Sequence, residues 1–424
     1  MLKRVKERFN IHLYPPTVHF LYLSTRNWVL ASTWPRFTLL GQSLGSLVLA
    51  FDAFTLLVPD IFIDTMGYAF ALGLSSLLFP AVPTGAYVHY PTISTDMLES
   101  LQIGGQGGNA GLGAGYRGGA KKKYWQLFAQ LYSRVGGSID VVMTNSTWTQ
   151  GHIKSLWEPY RMRRSKPTDI NVVFPPVAVE EVAEAVQVSQ DSEKQRGPYL
   201  LYIAQFRPEK NHQLILKAFA SFLHSKPKLT AYHIDTPKLV LIGSVRGSHD
   251  DAKRVYELRL LARELHIKDN VEFICDAPWP QMLEWMRKAS VGVNGMWNEH
   301  FGIGVVEYQA AGLIPVVNNS GGPKLDIVVD VNGKSTGKLI PHEYALDICA
   351  DHTRISCQYK GRVCRRISPG IDVVATRDVG DEAACSQVCR ALHRPRICRT
   401  LAEEYGDSSC LGSTTVEEVK LMTN

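Results

Sequence analysis

From Tyr199 onward the chain alternates short apolar runs with longer segments in which apolar residues recur at helical spacing. The runs Tyr199–Ile203, Leu239–Gly243, Val271–Ile274, Val291–Asn294 and Leu313–Val317 have strand length and are largely apolar, as strands covered on both faces are. Between them, Gln213–Leu223, Asp251–His266 and Trp279–Ala289 read as helices. Alternation at this spacing predicts a doubly wound parallel sheet. The first half repeats the pattern less regularly, with strands predicted at Ile61–Ile63, Thr84–His89 and Asp140–Thr144 and a helix around Gln150–Tyr160. Polar Val177–Gly197 reads as a linker, and after Gly337 the periodicity stops. The chain therefore divides into a first α/β domain over 1–190, a second over 198–337, and a tail over 338–424.

Two uncharged stretches change this picture, Phe37–Phe51 and Thr65–Thr95. The longer could span a bilayer on length alone. Pro80, Pro83, Gly67, Gly73 and Gly85 instead divide it into pieces the size of buried strands and helices, which favours a Rossmann-like core with an apolar, membrane-facing helix nearby. Gln102–Gly119 is glycine-rich and leads into Lys121-Lys122-Lys123, the pattern of a mobile lid or membrane-contact loop. No cleavable signal peptide is legible at the start.

A length of 424 residues, 45% hydrophobic and 20% charged, suits two folded domains. A net charge of +6 is too modest and scattered for a nucleic-acid binder, but it permits contact with anionic lipid or a pyrophosphate. Cysteine use is uneven. Cys275 stands alone before residue 349, and the other seven run from Cys349 to Cys410. Their spacing contains no paired CxxC knuckle for zinc, and a disulfide framework needs a compartment that the cysteine-poor body does not suggest. The tail is read as lacking a designed fold.

Candidate chemistry centres on Glu299 and Glu307, eight positions apart. They flank a turn containing Gly302 and the start of a helix that Gly312 closes. The first amides of such a helix, with the positive end of its dipole behind them, form an anion site. Carboxylates on either side hold hydroxyl groups attached to the bound phosphate. Gly321-Gly322 follow the next strand at its carboxyl end, where open α/β sheets bind ligands. No Asp-x-Asp or ligand-spaced His and carboxylate pair marks a metal site in the body.

This stretch resembles the Glu-x7-Glu signature of the family-4 retaining glycosyltransferases. The runs His19–Arg26, Thr84–Leu98, Asn145–Thr149 and Ile203–His212 resemble a eukaryotic branch of that family acting in asparagine-linked glycosylation. The resemblance covers roughly residues 5–337. It implies two facing Rossmann-like domains of glycosyltransferase B type. By that standard the first domain lacks its opening strand and glycine-rich loop. It also implies a retaining α-1,2-mannosyl transfer from GDP-mannose to a dolichyl-diphosphate oligosaccharide, adding the fourth and fifth mannoses. The implied place is the cytosolic face of the endoplasmic reticulum membrane, with membrane lipid and other mannosyltransferases of the pathway as partners and no metal cofactor. Carried onto this chain, Glu299 lies near the transferred sugar, Glu307 holds the ribose, and Phe301, Gly302 and Ile303 offer amides to the diphosphate. Lys210 neutralises the leaving diphosphate, with Arg207 beside it where relatives carry Arg in place of Gln205, and His89 contacts the donor sugar. Asp96 and Thr92 are weaker candidates for the acceptor. Two alternatives stay open: another hexosyltransferase of the same fold, or a catalytically inactive, truncated homologue.

Overall fold

The computed structural model describes residues 2–9, 12–100, 115–224, 236–245, 249–331 and 334–340. They form two compact units that divide between Phe174 and Pro175.

The first unit runs α1 (Leu2–Phe9), α2 (Thr38–Leu56), β1 (Phe62–Asp64), α3 (Ala69–Leu78), β2 (Thr84–Val88), α4 (Thr95–Ser100), α5 (Gly115–Gly136), β3 (Val141–Thr144), α6 (Thr147–Arg163) and β4 (Asn171–Val172). Its four strands pair in parallel in the order β1-β2-β3-β4. Leu72, Ile93, Phe128, Tyr132, Ile139, Val142, Ile153 and Trp157 fill one core between the sheet and its helices. At the end of α5, a Cβ on Gly136 would lie 2.2 Å from the Trp157 ring, so only glycine permits this approach. Arg161, fully buried, gives its guanidinium to the carbonyls of Ile139, Asp140 and Pro167, which pins the start of β3.

The uncharged stretches resolve as follows. Phe37–Phe51 lies mostly in α2, the one helix among the described residues that is long and apolar enough to cross a membrane; 33% of that span is buried. Asp52 ties it to the preceding segment by accepting from the amide and hydroxyl of Thr25, at 3.1 and 2.9 Å. Thr65–Thr95 is not a single helix. It holds α3 and β2 with loops between, as its prolines and glycines require. The basic run differs from expectation: Lys121–Lys123 ride on α5 rather than a loop, and the helix extends to Gly136. Trp125, Phe128, Ala129 and Tyr132 give α5 a buried face at i, i+3, i+4 and i+7, which overrides the glycines at its start. Residues 102–114 of the glycine-rich stretch lie outside the described residues.

The second unit runs α7 (Val179–Val186), α8 (Gln190–Lys194), β5 (Tyr199–Ile203), α9 (His212–His224), β6 (Lys238–Gly243), α10 (His249–Glu264), β7 (Val271–Cys275), α11 (Trp279–Lys288), β8 (Val291–Asn294), α12 (Ile303–Ala310), β9 (Ile314–Asn318), the hairpin β10 (Asp330–Val331) and β11 (Lys334–Ser335), and β12 (Lys338–Ile340). Its six-stranded sheet has the order β12-β9-β8-β5-β6-β7, and all its pairings are parallel. Leu200, Tyr202, Phe219, Leu239, Leu241, Val291, Val293 and Val316 occupy its core.

Both predicted limits of this unit move outward. The stretch Val177–Gly197 is not a linker. Val179, Val182 and Val186 are buried on one face of α7, which packs on α11 and α12, and Trp279 Nε1 donates to Glu181 Oε1 at 2.8 Å. Arg196 is bound just as firmly. Its guanidinium reaches Glu193 Oε1 at 2.7 Å and the carbonyls of Met286, Ala289 and Ala311 at 2.7, 2.6 and 2.5 Å. At the other end, Lys338–Ile340 adds β12 beside β9, so the unit continues past Gly337. The cysteine-rich stretch Cys349–Cys410 lies outside the described residues.

Candidate functional site

In the second unit the chain winds from β5 through β6 to β7 on one side of the sheet. It then returns to β8 on the other side of β5 and continues to β9 and β12. The loops leaving the carboxyl ends of β5 and β8 therefore part from each other and open a crevice, the position where such sheets bind ligands. Lys210 and Glu299 come from these two loops.

After β5, the turn Pro208–Lys210 is capped by Asn211 in the left-handed conformation. Tyr202, buried in β5, donates its hydroxyl to the Lys210 carbonyl at 2.6 Å and fixes the turn. After β8, Asn294 Oδ1 accepts from the Met296 amide at 2.9 Å, while Asn318 Nδ2 donates to the carbonyls of Gly295 and Met296 at 3.1 and 3.0 Å. The loop after β9 closes onto the same segment. The Asn298 amide donates to Ser320 Oγ at 3.0 Å, and the Gly322 amide to the Glu299 carbonyl at 2.7 Å. Gly321 has φ +67°, and a Cβ there would sit 2.2 Å from the Glu299 carbonyl oxygen. Glycine is required on both counts.

The result is an ion pair held from both sides. Lys210 Nζ lies 2.7 Å from Glu299 Oε2 and 3.2 Å from Met296 Sδ, and Asn294 Nδ2 donates to the same carboxylate oxygen at 3.2 Å. The two side chains keep 22% and 13% of their surface, so an incoming ligand can reach both.

Gly302, at φ 108°, caps α12. The amides of Val305 and Val306 turn back to the Gly302 carbonyl, and those of Ile303 and Gly304 have no acceptor among the described residues. A Cβ on Gly304 would meet nothing nearer than the Ile203 carbonyl at 3.6 Å and Glu307 Oε2 at 4.0 Å, which leaves room beside these amides. Glu307 lies one turn further on the same face. Its side chain has no hydrogen-bond partner among the described residues, and burial pushes its carboxyl up to about 7. Tyr308 joins α12 to the end of β5 by accepting from the Ile203 amide at 2.7 Å.

Of the residues expected from the sequence, Lys210, Glu299, Gly302, Ile303, Glu307, Gly321 and Gly322 therefore belong to one constellation at this crevice. Phe301 belongs to it through its backbone, its ring being buried. Gly304, which was not anticipated, supplies an amide beside that of Ile303. Arg207 turns toward Glu209, with Nη1 3.6 Å from Oε1. In the first unit, His89 directly follows β2, its ring edge-on to Tyr87 at 4.8 Å, and burial lowers its pKa. Thr92 Oγ1 donates to the Gly67 carbonyl at 3.4 Å, and Asp96 lies beside His152. Sequence reasoning missed Asn294, Tyr202 and Tyr308. Their signal was a polar group ending or facing an apolar strand, which becomes specific only once the strand neighbours are known.

Comparison with known proteins places this chain in a family. The family described as "ALG11 mannosyltransferase N-terminus" matches residues 1–157, and "Glycosyl transferases group 1" matches residues 185–347. The chain is 68% identical over 348 residues to the GDP-Man:Man(3)GlcNAc(2)-PP-Dol alpha-1,2-mannosyltransferase of Neurospora crassa, a match covering 80% of this chain and 62% of that protein. The chain thus spans less than two thirds of that relative's length. The protein of the same name from Xenopus laevis is 44% identical over 356 residues, covering 83% of this chain and 70% of the relative. Among solved structures, a UDP-forming alpha,alpha-trehalose-phosphate synthase from Burkholderia vietnamiensis superposes with a TM-score of 0.58 at 14% identity, covering 90% of this chain and 83% of that one. That likeness bears on the fold alone, which is α/β with parallel sheets in two domains, of glycosyltransferase B type. With these family matches and identities over most of its length, the chain belongs to the GDP-Man:Man(3)GlcNAc(2)-PP-Dol alpha-1,2-mannosyltransferase family.

Proposed function

We propose that this chain transfers mannose from GDP-mannose to a dolichyl-diphosphate oligosaccharide, with retention and in α-1,2 linkage, at the cytosolic face of the endoplasmic reticulum membrane. The names of its relatives supply the donor and acceptor. The observation that carries the reading is the Lys210–Glu299 pair at the divergence of β5 and β8, beside the first amides of α12. As the sugar–phosphate bond breaks, charge grows on the departing diphosphate. A fixed ammonium and preoriented amides stabilise that charge more in the transition state than in the ground state. In this reading Glu299 holds sugar hydroxyls and Glu307 accepts from the ribose. The acceptor hydroxyl attacks from the face the diphosphate leaves, and a leaving phosphate oxygen takes its proton. No side-chain base is needed.

Two measurements on the full chain test this. Labelled mannose should pass from GDP-mannose to a dolichol-linked acceptor far better than to the free oligosaccharide, giving an α-1,2-linked product. GDP should bind with equal affinity with and without EDTA, because Lys210 and the α12 amides do the work of a cation. Transfer from another sugar nucleotide, or preference for a water-soluble acceptor, points to a different hexosyltransferase. A strict Mg²⁺ requirement for GDP binding refutes the metal-free mechanism.

A lipid-linked acceptor also requires contact with a bilayer, and surface composition supports this. Among the described residues, exposed large apolar side chains concentrate in the first unit, whereas the second has only Tyr256, Leu260, Ile303 and Leu325. Leu44, Val48 and Phe51 form a stripe along α2, and Leu77 and Leu78 end α3. Basic Lys121–Lys123 on α5 add attraction to anionic headgroups. The chain should co-sediment with liposomes, more strongly when they contain anionic lipid. At about 1 kcal/mol per basic residue, losing the attraction of all three lysines alone corresponds to about 10²-fold, so charge reversal should weaken that binding by at least on the order of 10²-fold at low salt. Unchanged sedimentation of the reversed variant would exclude these lysines from the contact.

A further inference from the structure

The carboxyl edge of the first unit's sheet carries a cluster that the chemistry above does not use. The loop after β2 brings in Tyr90, and the start of α6, just after β3, brings in Trp148. Their rings stack nearly parallel, 8° apart with centroids at 5.9 Å. On Trp148 the His152 ring stands edge-on at 4.3 Å and 76°. His152 is itself held, with Nδ1 2.6 Å from Thr95 Oγ1 and Nε2 3.6 Å from Asp96 Oδ2, both residues belonging to α4. The Ser146 side chain caps α6 by accepting from the Thr149 amide at 3.1 Å, so the backbone carrying Trp148 is fixed as well.

Packing alone explains part of this cluster, since a buried imidazole needs polar partners. It does not explain why the aromatic pair and the carboxylate both keep access to solvent. Tyr90 and Trp148 are only partly buried, and 26% of the Asp96 side chain is exposed. A partly exposed aromatic pair held rigid by its neighbours, with a carboxylate at its border, matches a pyranose ring. The sugar's C–H face lies on the aromatic plane, and its hydroxyls donate to the carboxylate. The cluster also lies at the edge of the sheet where open parallel α/β sheets place ligands.

We propose that Tyr90, Trp148 and Asp96 form a subsite for one sugar ring of the acceptor glycan, with His152 and Thr95 as positioning residues. This rests on the glycosyl-transfer reading and assigns its acceptor side to named residues of the first unit.

The test uses the full chain with Trp148→Ala, Trp148→Phe and Asp96→Asn. At saturating GDP-mannose, Trp148→Ala should raise the KM for dolichyl-diphosphate oligosaccharide by on the order of 10-fold, as loss of a central aromatic contact does. GDP affinity should stay unchanged, while Tm falls with the packing lost against Tyr90 and His152. Trp148→Phe should recover most of the loss, and Asp96→Asn should raise the same KM several-fold without moving Tm. Should Trp148→Ala fail to fold, the other two variants carry the comparison. An acceptor KM unchanged in folded variants overturns the subsite while leaving the transfer reading intact. Direct binding keeps the question open to experiment if the chain transfers nothing. Saturation-transfer NMR with mannotriose should show sugar protons contacting the parent chain and lose that signal in Trp148→Ala or Asp96→Asn. No contact in the parent overturns the proposal.

Discussion

Lys210→Ala should lower kcat by on the order of 10²-fold or more, as removal of one fixed donor to a developing anion does. The reason is placement. The ammonium sits 2.7 Å from Glu299 at the carboxyl edge of the sheet, and its turn is tied down by the Tyr202 hydroxyl. It therefore meets the growing charge without reorganising, and that preorganisation is what the alanine variant loses. Lys210→Arg should recover only part of the rate, because a planar guanidinium cannot place a point charge in a pocket shaped by Met296 and Asn294. Lys268→Ala is the control. Lys268 precedes β7, at the opposite edge of the same sheet, and is exposed. Its loss should leave kcat within about two-fold of the parent, the usual behaviour of a surface position away from the site. Steady-state kinetics on both variants decide the matter. Comparable effects at the two positions would mean that the site has been misplaced.

How much of this was legible from the sequence depended on whether the determining contacts were local. Tyr199–Ile203 and Val291–Asn294 were read with the bounds they have, because a strand covered on both faces is apolar along its whole length. Glu299, Gly302 and Glu307 were legible because a cap, a turn and a helix face are set within a few residues. Helix α7 was not. Its three valines at i, i+3 and i+7 were masked by the intervening Glu180, Glu181 and Glu184, so the segment looked like a linker. Strand β12 spans only Lys338–Ile340 and is recognisable only beside β9. The bonds from Ser320 and Gly322 back to the Glu299 loop join segments about twenty residues apart in the chain, and no local pattern announces them. Arg207 illustrates the reverse case: the sequence offered a cation near the diphosphate site, and the fold turned it toward Glu209.

Glu307→Gln should make the protein more stable above neutral pH while weakening its hold on the donor. Burial raises the Glu307 carboxyl from 4.5 to about 7. Between these values the folded protein keeps a proton that the unfolded chain has released. Stability therefore falls as pH rises through the window, and the whole cost is present above about 7. A difference of this size corresponds to roughly 3 kcal/mol. Glutamine has no charge to desolvate, so Tm should rise by about 5–10 °C relative to the parent at pH 8 and match it near pH 4.5. Donor binding should move the other way. A carboxylate that accepts two ribose hydroxyls makes charge-assisted bonds worth about 1.5–3 kcal/mol each, which an amide reproduces poorly. Calorimetric affinity for GDP should fall by on the order of 10- to 100-fold in the variant. In the parent that affinity should climb between pH 6 and pH 8, because the ligand selects the ionised form; in Glu307→Gln the climb should vanish. A carboxyl retained only for packing would show neither the fall in affinity nor the lost pH dependence, so a variant that binds GDP like the parent at both pH values would remove Glu307 from the site. Stability gained together with affinity lost is the combination expected of a carboxylate that the fold tolerates at a cost and that a ligand's hydroxyls satisfy.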